Sequence, residues 1–117
     1  MADRQTLSIL FYLRRDKTNR RNEVPIYMII TVNGKKAEMA TNRYVDPERW
    51  NPEGGFVKGS KAEFKLLNEY LDLIRSKVYS AQRDLMEQNQ PVTALGLRNT
   101  VQGTTKSQRT VLEVILL

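Results

Sequence analysis

The dipeptide Asn33-Gly34 stands between the segments PIYMIITV and KKAEMATNR, and it is the strongest short signal for a two-residue β-hairpin. A type I′ turn needs positive φ at both central positions, which asparagine and glycine tolerate best. Setting that turn sets the pairing: Val32 opposite Lys35, Thr31 opposite Lys36, Ile30 opposite Ala37, Ile29 opposite Glu38, Met28 opposite Met39 and Tyr27 opposite Ala40. Side chains alternate across a strand. Met28, Ile30, Ala37 and Met39 therefore share one face, suited to packing on a helix, while Tyr27, Thr31, Lys36 and Glu38 share a face that stays wet.

Composition narrows the chemistry. The 117 residues include no cysteine and no histidine, which excludes a disulfide scaffold, the usual zinc sites, Ser-His-Asp triads and Cys-His pairs within this chain. No apolar run reaches the roughly 18 residues of a membrane span, and the first residues lack the basic, apolar, small-residue order of a signal peptide. A cytoplasmic protein without cofactor or metal is expected. The net charge of +6 is unevenly spread: residues 1–44 carry nine basic side chains against four acidic, residues 45–90 seven against eight, and residues 91–117 three against one. Positive charge thus collects on the sheet-forming part, the asymmetry of a surface that meets a polyanion.

Along the chain, residues 6–14, TLSILFYLR, read as a first strand with Leu7, Ile9, Phe11 and Leu13 inward. Its outward Leu10 and Tyr12 are either covered by another element or in contact with ligand. Residues 15–23, RDKTNRRNE, have no apolar periodicity and read as a flexible loop. Arg14, Arg15, Lys17, Arg20 and Arg21 fall within eight residues there, and such side chains can reach phosphates, arginine bidentately and lysine as a point charge. Asp46-Pro47 predicts a short helical turn capped by Asp46, delivering Trp50 to the edge of the core. Residues 51–59 read as turn material from which Phe56 and Val57 dock back.

Ser60-Lys61-Ala62-Glu63 matches a capping box and predicts a helix over 61–89 whose stripe is Phe64, Leu67, Leu71, Ile74, Val78, Ala81 and Leu85. Such a rod outruns a three-stranded sheet. Either a coiled-coil partner or the last stretch of this chain must cover the surplus. With about three heptads and no evident e/g charge pattern, the second is favoured. Pro91 is expected to end the helix; Thr93 to cap a shorter one through Val101, weakened by Gly96; residues 102–108 to form a polar linker; and residues 109–117, RTVLEVILL, to begin an apolar element cut from a longer protein. The fold class is α+β: a three-stranded antiparallel sheet (6–43) packed on one long helix, with a short turn at 46–50 and a short second helix after it.

The segments SILFYLRR, PIY, ITVNGKKAE and VDPERWN, and the long helix after VKG, resemble the N-terminal region of tyrosine recombinases, the phage-type integrases of mobile elements in Bacteroides-like bacteria. The resemblance spans nearly the whole chain. It implies an arm-type DNA-binding domain over 1–90 whose sheet enters the major groove, a short helix and linker over 91–108, and the start of a core-binding helical domain at 109–117. It also implies that the Arg, His and Tyr residues of strand exchange lie beyond Leu117, so that this stretch is not itself catalytic.

The expected partner is double-stranded DNA, not a membrane, with self-association possible through the rest of the parent recombinase. From strand geometry, Arg14, Arg15, Lys17, Arg20, Arg21, Lys35 and Arg43 are candidates for phosphate contacts, and Tyr27, Thr31, Lys36 and Glu38 for base contacts. Two rival readings remain open at this point: a protein-interaction module built on the long helix, and recognition of double-stranded RNA.

Overall fold

In the computed structural model, which describes residues 6–103, Asn33 and Gly34 take φ of 49° and 85°, the pair of positive values that a type I′ turn demands. The turn joins β2 (Val24–Val32) to β3 (Lys35–Val45), and all six expected pairs from Val32↔Lys35 to Tyr27↔Ala40 are present. β1 (Leu7–Leu13) adds antiparallel to the other edge of β2, giving the order β1-β2-β3. Asn33 also pins the start of β1, its side-chain oxygen accepting from the Thr6 N–H at 3.1 Å and its own N–H donating to the Thr6 carbonyl at 3.0 Å.

Beyond Ala40 the ladder is irregular. Pro25 pairs with Tyr44, so one β2 residue, Ile26, faces three of β3. Asn42 absorbs the bulge at φ 62°, and Thr41, 1% exposed, takes over the ladder bonding: its hydroxyl donates to the Ile26 carbonyl at 2.8 Å and accepts from the Arg43 N–H at 3.3 Å. The bulge carries the strand on to Val45, two residues past the expected end of the sheet. Asp46 then caps the turn Pro47–Arg49 by accepting from the Glu48 N–H at 3.0 Å, and Trp50 enters the core, both as expected.

β4 (Trp50–Asn51) and β5 (Phe56–Val57) form a two-stranded flap. Only Val57 docks; Phe56 stays largely exposed, because neighbouring residues of a strand point to opposite faces. The flap is held to the helix by Asn68, whose side-chain oxygen accepts from the Val57 N–H at 2.8 Å while its NH2 donates to the Val57 carbonyl at 3.0 Å.

Helix α1 (Ala62–Glu87) buries Leu71, Ile74, Val78 and Ala81 against the inner sheet face, with Phe64, Leu67 and Leu85 at the flanks. The capping box does not form. Lys61 occupies the N-cap, without a side-chain cap, so the helix starts one residue later than a Ser60 cap would place it. Glu63 falls one position short of the site from which it could bond back. The far end also differs: the helix stops before Pro91, at a Schellman motif in which Asn89, at φ 56°, donates to the Met86 carbonyl and Gln90 to the Leu85 carbonyl.

The chain then folds back, and Val92, Ala94, Leu97 and Val101 join the same core cluster. This covers the surplus of the stripe without a partner helix. Helix α2 covers residues 94–103, so residues 102–103 are helical where a linker was expected. Thr93 caps it, accepting from the Gly96 N–H at 2.9 Å, and a Cβ at Gly96 would stand 2.9 Å from that same Thr93 oxygen. The glycine that weakens the helix by propensity is what leaves room for its cap. The rest of the expected linker and the expected start of a core-binding domain lie outside the described residues.

Two positions test this core. Met28, fully buried, should cost about 2–5 kcal/mol as Met28→Ala, and Met28→Asp should prevent folding by burying a carboxylate. Thr41→Val should cost about 1–3 kcal/mol, since it strands the Ile26 carbonyl. Thermal unfolding followed by circular dichroism reads all three.

Candidate nucleic-acid interface

The outer face of the sheet is organised in cross-strand rows. Ser8, Thr31 and Lys36 form one, Leu10, Ile29 and Glu38 the next, and Tyr12, Tyr27 and Ala40 the third. All four residues expected to read bases, Tyr27, Thr31, Lys36 and Glu38, lie on this face. Lys35 and Lys36 stand at the hairpin end and the β1–β2 loop at the opposite end. The nine residues of β2 that separate them span roughly 30 Å. Cations therefore bracket the face from both ends.

At the loop end the side chains form a network. Lys17 Nζ donates to the Tyr27 hydroxyl at 3.2 Å and lies 5.5 Å from its ring centroid, while the Arg14 guanidinium lies 5.0 Å from the same ring. The Tyr12 ring stands 6.1 Å from that of Tyr27, tilted by 50°. Tyr12 donates its hydroxyl to Glu38, and Arg14 approaches the same carboxylate oxygen at 3.5 Å. Partial burial, and then the bond to Glu38, push the Tyr12 hydroxyl above its ordinary pKa, so it remains a donor at neutral pH. Arg14 also contacts Asp16 at 3.3 Å, and hydrogen bonds from Arg14 hold the Asp16 carboxyl below the usual aspartate range.

The basic loop is tied down where the sequence read as flexible. Residues Arg15–Lys17 make a 3₁₀ turn. The Asn19 side-chain oxygen accepts from the N–H groups of Arg21 and Glu23, both at 2.9 Å, the Asn19 N–H donates to the Glu23 carbonyl at 2.9 Å, and Asn22 turns the chain at φ 63°. Asparagine and aspartate side chains order loops in this local way without any apolar pattern. Arg20 and Arg21 are left exposed at the tip.

Of the seven expected phosphate-binding residues, Arg14, Arg15, Lys17, Arg20 and Arg21 gather at the loop end and Lys35 at the hairpin end. Arg43 stands apart. Its guanidinium stacks on Tyr70 of α1, 3.9 Å from the ring centroid, on the helix side of the sheet. There it borders a cleft of about 560 Å³ whose cations Arg43, Arg49 and Lys61 are matched by Glu23, Asp46 and Glu63, so this cleft has no preference for an anion. The list of expected contacts left out Ile29 and Ala40, which the hairpin register already placed beside Tyr27 and Glu38, and left Leu10 between being covered and touching ligand; Leu10 is exposed, uncovered by any described element. The alternation that sorted their neighbours was signal enough for all three.

No helix among the described residues is long and apolar enough to cross a membrane. A three-stranded sheet backed by two helices, with cations at both ends of its open face, defines a small α+β nucleic-acid-binding module. The chain belongs to the Arm DNA-binding domain family, whose model matches residues 11–97, from Phe11 in β1 to Leu97 in α2. Domains of this family are the arm-type DNA-binding regions of integrases and are not themselves catalytic. No curated protein and no solved structure matches the chain significantly.

The Arg14–Asp16 pair has a pH signature. A carboxyl whose pKa is lowered by folding contributes above the ordinary aspartate pKa, and that contribution is lost as pH falls through the lowered value. Carbon-13 NMR titration should find Asp16 below the usual range, and Arg14→Gln should raise it toward that range.

Proposed function

We propose that this is the arm-site domain of a site-specific tyrosine recombinase, and that it lays the outer face of its sheet into the major groove of duplex DNA. Catalysis would belong to another part of the parent protein, and any self-association would also arise there. The observation that carries this reading is the bracketing of one sheet face by Arg14–Arg21 at one end and Lys35–Lys36 at the other, with polar and aromatic side chains between them. The major groove is about 12 Å wide and admits a β-ribbon; a ribbon laid along it, roughly 30 Å from end to end, would bring both cationic ends beside the phosphates that run along the rims.

The contacts divide into two layers. Arg14, Arg15, Lys17, Arg20, Arg21 and Lys35 neutralise phosphates and displace counterions, giving affinity and orientation but no sequence information. Tyr27, Thr31, Lys36 and Glu38 reach base edges: lysine favours guanine O6 and N7, and threonine meets the thymine methyl. Glu38, held by Tyr12 and Arg14, retains acceptor capacity for cytosine N4, because a carboxylate offers about four lone-pair sites. Arg43, stacked on Tyr70, would meet only a backbone passing the sheet edge. Duplex RNA is the poorer ligand, since its major groove is deep and too narrow for side chains to read.

Fluorescence anisotropy against salt tests the first layer. Arg20→Ala with Arg21→Ala should weaken binding to every duplex and lower the slope of log affinity against log salt by about 1.8, whereas Arg43→Ala should leave the slope unchanged. Selection from random duplexes tests the second, where Lys36→Ala should relax preference at one position at a cost of about 1–3 kcal/mol. If the loop pair and Lys36→Ala both left binding untouched, the outer face would not be the interface.

A further inference from the structure

The middle row of the outer face sets an apolar pair, Leu10 and Ile29, beside Glu38, and no contact proposed above uses that pair. Leu10, 51% exposed, sits in the middle row directly opposite the half-buried Ile29. The methyl groups of Thr31 and Ala40 belong to the adjoining rows. Single exposed leucines are common on protein surfaces and need no partner. This one differs in its setting. It is paired across strands with a second branched aliphatic residue, on a ribbon whose two ends are both cationic.

Charge complementarity selects the occupant. A face closed at both ends by lysines and arginines favours a polyanion, and an apolar pair lying between them needs an apolar group presented between two rows of phosphates. In the major groove of DNA the thymine C5-methyl is the apolar group among the donors and acceptors of the base edges. RNA lacks it.

We infer that Leu10 and Ile29 form a reader for thymine methyl groups, making at least one central base pair of the bound site A·T. The inference rests on the groove-binding reading and adds to it the class of base recognised. Leu10 supplies the reach and Ile29 the floor, because Leu10 is the more exposed of the two. The Tyr12 and Tyr27 rings in the next row bound the patch on the loop side and limit how far a base can shift along the strands.

Exchange of thymine for uracil tests the proposal without altering the protein, since it removes only the methyl. The 117-residue chain would be used to select duplexes from a random library, and a selected duplex would then be made with uracil in place of each thymine in turn. At one or two central positions uracil should weaken binding about fourfold, the equivalent of about 0.8 kcal/mol for one buried methyl, with the salt slope unchanged. Leu10→Ala, a change at an outward position, should bind alike duplexes carrying thymine or uracil at those central positions, while a uracil effect owed to Thr31 in the adjoining row persists.

Tight, salt-dependent binding with no uracil effect at any position would overturn the methyl reader and leave the groove-binding reading standing. Retention by Leu10→Ala of the thymine preference at those central positions would overturn the methyl reader in the same way. Enrichment of no duplex at all would overturn both.

Discussion

Everything on the outer surface depends on one geometric fact, the two-residue alternation of a strand whose register is pinned at Asn33-Gly34. A slip of one residue would carry Met28, Ile30 and Met39 to the wet face and drive Lys36 and Glu38 into the helix. Two independent features resist that slip. The turn admits only a pair of residues that accept positive φ, and the Asn33 side chain binds the start of β1, so a single residue fixes both pairings of the central strand. Burial of the inner set against α1 makes the alternatives costly, since each would exchange buried aliphatic area for buried charge.

The loop end combines order with exposure. Arg14 and Lys17 are held against the Tyr27 ring, and Arg14 is also held between Asp16 and Glu38. Exposed ion pairs of this kind add little to stability. What they supply is arrangement: a long basic side chain already ordered loses less rotamer freedom when it meets a phosphate. Asp16 and Glu38 would then set a cost, because Arg14 would have to share or leave them to meet a phosphate. Arg20 and Arg21, exposed at the tip of a loop ordered by Asn19, carry no such competition. One end of the face thus holds both a prearranged arginine and two exposed ones.

Elements governed by a short local rule were legible in the sequence. The hairpin, its register down to Ala40, the Asp46 cap, the buried Trp50, the stripe of α1 and the Thr93 cap each follow from a few adjacent residues or a simple period. What escaped depends on competition between local rules or on contacts far apart in the chain. The capping box lost to a helix start one residue later, and Asn89 ended the helix before Pro91 could. The bulge at Thr41 required knowing that a buried hydroxyl could replace a ladder bond. Arg43 looked like its basic neighbours by charge, although the alternation that turns Ala37, Met39 and Thr41 inward already put it on the helix side, where it meets Tyr70. The loop over 15–23 has no period to read, because its order comes from asparagine side chains bonding the backbone.

The arrangement of the face also bears on how affinity and selectivity would separate. On the proposed reading, cations at its ends would act through counterion release, which weakens steeply as salt rises, whereas contacts made by Leu10 and Ile29 between them would depend on removing apolar area from water, which salt does not screen. The two layers therefore respond to different variables. At low salt the ends alone would hold the domain on any duplex, and every sequence would compete. As ionic strength rises the common part of the binding free energy shrinks while the part belonging to the centre persists, so a larger share of what remains comes from base edges. A domain built with charge at its margins and hydrocarbon in its middle is suited to searching DNA loosely and settling where the middle finds its match.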